Sequence, residues 1–315
     1  MPTLKDIARE AGVSGALVSY CLSGSKAIRI NRETRARIEA AARKLNYHPN
    51  RLARSLRTGK SRSIGLLVSN LSDPYFGHLA EEILEAAQNY DYSLIFGVTK
   101  YGADDDKAKA LDFLMRTHID GLLTSLSLNG IPGAQLLREN NIPILRFTYQ
   151  EPGAISLLDD VQDALYDACR CFKERGHRSM LSFFNHPFPW NNVLPEAAEK
   201  AGIELIRKTF CTPVERQEIF QYIAECRPRA ILLNGRILYE LLTLIENIGG
   251  YTPDIIVGID EFHPRRESPL IIGGIRTNTT KKAQRGVELL IERLEHPELP
   301  REETILLPPG EFILY

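Results

Sequence analysis

The sequence predicts an all-α helix-turn-helix headpiece with a short hinge helix, joined to a two-lobed α/β core built on parallel sheets. Three observations predict it. Residues 3–24, TLKDIAREAGVSGALVSYCLSG, read as two short helices about a tight turn. Charge is split: residues 1–62 hold 14 Lys+Arg against 4 Asp+Glu and the remainder 25 against 36, although the net charge of the 315 residues is only −1. From Ser63 onward, apolar strand segments alternate with amphipathic helices, the grammar of parallel sheets covered on both faces.

In the first helix Leu4, Ile7, Ala8 and Ala11 form one apolar stripe, with Lys5, Asp6, Arg9 and Glu10 on the other faces. Thr3 stands at the N-cap with Asp6 three residues on, and Gly12 stops the helix, since glycine accepts the left-handed conformation. Ser14 caps the second helix. Val18, Cys21 and Leu22 are its buried edge, which leaves Gly15, Ala16, Ser19 and Tyr20 facing outward. A helix, a glycine turn and a helix with a small-residue outer face is the arrangement that enters a major groove. Asn31 caps a third helix with Thr34, Ile38, Ala41 and Leu45 inside; Arg32, Arg35, Arg37, Arg43 and Lys44 face outward and attract phosphate generally.

Asn46-Tyr47-His48-Pro49 ends the bundle, because the residue before proline avoids the helical region. Asn50 can cap a further helix over 51–57, ended by Thr58-Gly59. Below about 12 residues such a helix needs something packed on it. Strand candidates follow at 64–69, 93–98, 121–125, 142–147, 180–184, 205–210, 230–233 and 255–259, and helices at 76–89, 105–116, 134–140, 161–175, 192–201, 214–225 and 238–248. The expected domains are a headpiece over 1–49, a hinge over 50–60 and a core over 61–315, its lobes being 61–160 with 278–300 and 161–277 with 301–315. Ligands in such folds bind at strand C-termini, here between the lobes.

Five cysteines (21, 169, 171, 211, 226) show no CxxC or zinc spacing, so free thiols in a reducing compartment are expected, with no metal and no cofactor. No apolar run approaches the ~18 residues of a membrane span and the first residues are polar, so a cytoplasmic, nucleoid-associated protein is expected. Enzyme motifs fare poorly. Gly59-Lys60-Ser61 looks like the end of a phosphate-binding loop, but Arg54 occupies its required earlier glycine position. His177 in Arg175-Gly176-His177 reads as structural, and Asp104-Asp105-Asp106 as compensation of a helix dipole.

TLKDIAREAGVS, NYHPNRLARSLRTG, SIGLLVSNLSDPYF, HIDGLL, ERGH and VGIDE, in this order and spacing, closely resemble the lactose/galactose-repressor (LacI/GalR) family of bacterial transcription regulators. The resemblance is very specific to about residue 125 and thins in the second lobe. It implies a homodimeric repressor on a palindromic operator, with a periplasmic-binding-protein-like core. It also implies paired hinge helices in the minor groove and a small effector between the lobes. The ending PPGEFILY reads as a strand rather than a heptad helix, which favours a dimer over a tetramer.

Carried onto this chain, the resemblance places Thr3, Ser14, Gly15, Ala16, Leu17, Ser19, Tyr20, Ser23, Tyr47, Asn50, Ala53 and Leu56 at the DNA. Leu56 is the wedge between central base steps, with dimer packing as the competing account. Leu17 and Tyr20 stand where the family usually has Thr and Arg. Arginine would read guanine bidentately, whereas tyrosine offers one hydroxyl and a ring edge suited to a thymine methyl, or simply packs. The implied effector contacts are Asp73, Tyr75, Phe76, Ser125, Arg146, Trp190, Asn234, Arg236 and Asp260. Tyr75 or Phe76 either stacks on a ligand ring or packs in the core. Asn234-Gly235-Arg236 lacks the family's carboxylate and Arg146 stands near a usual acidic position, which points to a sugar acid or sugar phosphate over a neutral sugar. A DNA-binding regulator with a degenerate sensor remains the alternative; a sugar-processing enzyme ranks below both.

Overall fold

Thr3 opens the first helix with a reciprocal cap: its Oγ1 accepts from the Asp6 N–H at 3.4 Å, and the Asp6 carboxylate accepts from the Thr3 N–H at 2.9 Å. Two of the donors that every helix start leaves over are thereby satisfied. The helix, α1 (Leu4–Ala11), closes on Gly12 at φ 64°. Ser14 Oγ accepts from the Leu17 N–H at 3.2 Å and caps α2 (Gly15–Leu22), while Asn31 accepts from the Thr34 N–H at 2.7 Å and caps α3 (Arg32–Lys44). Ile7, Ala8, Ala11, Val18, Cys21, Ile38 and Ala41 fill the space between the three helices.

The computed structural model describes residues 2–22, 30–47, 55, 59–71, 74–99, 103–147, 150–185, 190–210, 212–258 and 268–315. Ser23, Asn50, Ala53, Leu56, Asp73 and Asp260, all expected contacts, lie outside the described residues, as do the side chains of Asn234 and Arg236. Of the expected hinge helix, Ser55 is described and helical; Gly59, at φ 68°, donates its N–H to the Ser55 carbonyl at 2.8 Å. The chain falls into two compact units, Met1–Ser61 and Arg62–Tyr315.

The larger unit holds two six-stranded sheets. The first comprises β1 (Ser63–Val68), β2 (Ser93–Val98), β3 (Gly121–Thr124), β4 (Ile144–Arg146), β5 (Ile155–Leu158) and β11 (Glu303–Leu306), in the order β11-β5-β4-β3-β1-β2. The second comprises β6 (Ser179–Asn185), β7 (Glu204–Phe210), β8 (Ala230–Asn234), β9 (Asp254–Gly258), β10 (Ile271–Arg276) and β12 (Glu311–Leu314), in the order β12-β10-β9-β8-β6-β7. All described pairings are parallel except β10 with β12.

Alternation along each strand feeds both faces of its sheet. Leu66 and Val68 pack under α4 (Pro74–Gln88) and α11 (Thr279–Glu295), whereas Leu67 packs under α5 (Asp104–Arg116) and α6 (Ala134–Glu139). In the second lobe Phe184 and Met180 meet α7 (Gln162–Glu174) and α8 (Trp190–Ala201), while Leu181 and Phe183 meet α9 (Pro213–Cys226) and α10 (Leu238–Asn247).

Three of these strands escape the sequence reading, each for a physical reason. β5 and β11 are four residues each, as β3 is, but β5 lies in the irregular stretch before residue 160 and β11 is largely exposed, so neither stands out as an apolar run. β10, IIGGIR, is diluted by two glycines, yet Gly273 is needed: a Cβ there would stand 2.7 Å from the Ile313 carbonyl oxygen of β12. The register Ile155↔Glu303 to Leu158↔Leu306 puts β11 in the first sheet, which corrects the expected assignment of 301–315 wholly to the second lobe.

Three crossings join the lobes, after β5, after β10 and between β11 and β12. The first and third are bonded to each other, Leu307 N–H to Leu158 O at 2.8 Å and Gly310 N–H to Asp160 O at 2.6 Å. Cys21, Cys169, Cys171 and Cys226 are free thiols, and burial pushes Cys169 up to about 12, which keeps it protonated and inert.

Candidate DNA interface and effector site

Because its caps are local and its inner edge is buried, α2 presents Ala16 and Tyr20 to solvent, Tyr20 being 40% exposed, with Gly15, Leu17 and Ser19 half-buried beside them. Small side chains there let a backbone approach base edges closely. Leu17 and Tyr47 both pack against the headpiece core, so each has a structural duty besides any DNA contact. Thr3 is exposed, but its hydroxyl belongs to the α1 cap. No residue of α2 is charged. The exposed cations of the headpiece helices are Lys5 and Arg9 on α1 and Arg32, Arg37, Arg43 and Lys44 on α3, of which Arg9 is paired with Asp6 and Lys44 with Glu10.

In the core, Tyr75 and Phe76 occupy the first turn of α4, directly after β1, with ring centroids 5.2 Å apart at 64°. Both are half-buried and both lean on the first lobe's core, so the two accounts of these rings, ligand platform and packing, meet in the same side chains. Ser125, after β3, is buried and donates its N–H to the Leu67 carbonyl at 3.3 Å.

Arg146, at the end of β4, is fully buried and ion-paired with Glu151. Glu151 also accepts from the Ser127 hydroxyl at 3.1 Å and from the Leu128 N–H at 3.3 Å. The guanidinium arrives with its own counter-charge. It adds no net positive charge for a ligand, and one support for an acidic effector is withdrawn.

Trp190 is likewise corrected as an effector contact. It is 2% exposed, edge-on to Phe184 at 6.1 Å, and built into the second lobe's core. Its ring lies against Gly258 at the C-terminal end of β9. An indole so enclosed has no face left for a ligand.

A cluster absent from the sequence reading lies at the crossings. Lys282 in the first turn of α11, Asp159 after β5 and the Tyr75 hydroxyl meet, Lys282 Nζ donating to Asp159 in a short ion pair and to Tyr75 Oη at 3.4 Å. Burial alone would push the Lys282 pKa down; the Asp159 carboxylate outweighs it, and the pKa is raised. Its signal was helical phase, since Lys282 shares a face with Gly286 and Leu290, whereas the pair Lys281-Lys282 reads locally as solvated surface. Thr99 and Thr277, at the ends of β2 and β10, are buried with hydroxyls that have no hydrogen-bond partner among the described residues. No cluster of metal-ligating side chains and no helix long and apolar enough to cross a membrane occur among the described residues.

Comparison with known proteins gives the same picture. Residues 3–50 match the model of bacterial regulatory proteins of the lacI family, and residues 61–187 that of periplasmic binding proteins and the sugar-binding domain of the LacI family. A PurR transcriptional repressor of Mannheimia succiniciproducens is 27% identical over 98% of this chain and 96% of its own length. The PurR repressor of Proteus mirabilis is 33% identical over 57% of this chain and 53% of its own length. A lac repressor dimer bound to operator and the anti-inducer ONPF superposes with a TM-score of 0.78 at 20% identity, covering 99% of this chain and 97% of that one. A basic three-helix unit, a bilobal parallel-sheet core and these matches together show a regulator rather than an enzyme: the chain belongs to the LacI family of DNA-binding transcriptional repressors.

Proposed function

We propose that the chain acts as a homodimer on a palindromic operator, reading it with α2 and the hinge, and that a small carbohydrate-like effector between the lobes sets operator affinity. The observation that carries the DNA half is the outer face of α2, uncharged and small-sided around an exposed Tyr20, on a body whose neighbouring helices carry the cations. Tyr20 replaces guanine-directed arginine, so the proposed half-site depends less on guanine at that position. Pairing of two copies is supported by exposed apolar side chains on neighbouring elements of the first lobe, Phe96 and Val98 on β2, Leu84 on α4 and Phe113 (51% exposed) on α5.

The effector proposal rests on Tyr75 and Phe76 at a strand C-terminus. With Arg146 neutralised, a preference for a sugar acid or sugar phosphate would come from Arg236 alone. A ligand-independent repressor is the second reading. The internally paired Arg146–Glu151 and the enclosed Trp190 favour it, because both fill effector positions with closed structural contacts.

Selection from random duplex DNA tests the first half: a palindrome should be enriched, and enrichment of none would remove the operator reading. Thermal shift against galactose, galacturonate and fructose 1-phosphate tests the second; stabilisation by any one supports an effector, and none by all three favours the ligand-independent form.

A further inference from the structure

Lys282 is 2% exposed, on a helix face it shares with Gly286 and Leu290, and its three ammonium protons have three acceptors: Asp159 in a short contact, Tyr75 Oη at 3.4 Å and the Phe147 carbonyl at 3.5 Å. The ammonium also stands 5.9 Å from the centre of the Tyr75 ring. The placement is costly twice over. An enclosed ammonium loses its hydration, and the first turn of a helix carries the positive end of the helix dipole. Methionine at 282 together with asparagine at 159 would fill much the same space against Phe147 without either penalty. A charge kept where an apolar side chain would be the cheaper solution points to a role other than stability.

Its partners show which role. Asp159 lies on the first crossing between the lobes, and Lys282 is in the helix entered from the second. The first crossing is bonded to the third through Leu158 and Asp160. Gly310 of the third crossing runs so close that a Cβ would stand 3.1 Å from the carbonyl oxygen of Arg276, where β10 gives way to the second crossing, and 3.4 Å from that of Asp160. All three crossings are thus one connected body, and Lys282 is the side chain that joins it to Tyr75.

We propose that Lys282 is a positioning residue for the effector response: it fixes the Tyr75 ring to the crossings about which the lobes turn, so that movement of Tyr75 and change at the crossings are one event. This rests on the reading of Tyr75 as an effector contact. The coupling itself exists in the ligand-free protein, because the bonds that make it are internal.

The test uses the full chain and the palindrome selected by the wild type, without added ligand. Lys282→Met, Tyr75→Phe and the double variant are compared for operator Kd and for Tm. Lys282→Met strands the Asp159 carboxylate and should lower Tm, whereas Lys282→Met with Asp159→Asn should return Tm close to the wild-type value; both should move operator Kd by about fivefold or more. The double variant of Lys282→Met with Tyr75→Phe should be non-additive, as for residues in one network. Asp159→Asn, which keeps the shape and removes the counter-charge, should move Kd in the same direction and stands in should the methionine variant not fold. Operator Kd within about twofold of wild type in a folded Lys282→Met or Asp159→Asn variant overturns the proposal, as does strict additivity in the double. Failure of the effector reading shows elsewhere, in a wild-type Tm unmoved by any of the three sugars.

Discussion

The Trp190 ring lies so close over Gly258 that a Cβ built on the glycine would stand 2.5 Å from its Cζ3 atom. Gly258→Ala must therefore push the indole or open the end of β9. The expected cost is about 1–3 kcal/mol in urea unfolding followed by circular dichroism. Adding Trp190→Phe should recover most of it; no recovery would mean that the ring is not what the new methyl meets.

The buried pair Arg146–Glu151 makes an opposite kind of prediction, about charge rather than volume. Arg146→Met alone strands a carboxylate and should cost about 3–5 kcal/mol. With Glu151→Gln as well, the amide oxygen can accept from the Leu128 N–H while the amide NH2 donates to the Ser127 hydroxyl, and stability should return to within about 1.5 kcal/mol of wild type. If galacturonate or fructose 1-phosphate stabilises wild type but not this double variant, Arg146 is an effector contact after all.

Asp254 accepts from Arg175 Nε at 2.7 Å and shares a 2.8 Å hydrogen bond with His177 Nε2. Burial pushes its pKa up, the hydrogen bonds to Arg175 and His177 push it down, and the second effect wins, leaving it below the ordinary 3.8. A depressed carboxylate stabilises the fold fully above its unfolded value and loses that contribution as pH falls through the folded one. Asp254→Asn is therefore expected to be about 1–2 kcal/mol less stable than wild type at pH 7, the gap closing as pH falls below the ordinary 3.8 and through the depressed folded value. A gap independent of pH would assign the effect to shape.

At the DNA, Tyr20→Arg should shift the half-site recovered by selection toward guanine at one position, since arginine reads O6 and N7 together. An unchanged half-site would make Tyr20 a packing or phosphate-facing residue. Leu56→Ala should weaken operator binding by about tenfold or more while leaving the core's self-association, read by sedimentation, as in wild type. Equal affinity would take the wedge role from Leu56.

The headpiece was legible because its information is local. Thr3 with Asp6, Ser14 with Leu17 and Asn31 with Thr34 are all bonds across three residues. The alternating core was legible through its apolar runs, down to strands as short as β3 and β4, but not at the largely exposed β11. The effector side was not, because its side chains are decided by partners that no helix or strand period marks. The charge of Arg146 is cancelled by Glu151, five positions on and past the end of its strand. Trp190 read as a ligand platform until Gly258, 68 positions on, supplied the surface it rests against. Lys282 drew no reading, its partners at Asp159 and Tyr75 lying 123 and 207 positions earlier.

The pairing of β5 with β11 sets an order on biosynthesis. Residues 155–158 emerge with no outer neighbour, and the strand that covers them, like the helix Thr279–Glu295 over their inner face, follows only after most of the second lobe has been made. Headpiece residues, whose contacts are short in sequence, can fold while the ribosome is still far upstream of that point. A nonsense codon anywhere before Glu303 would thus release a fragment able to hold phosphate but unable to complete either sheet.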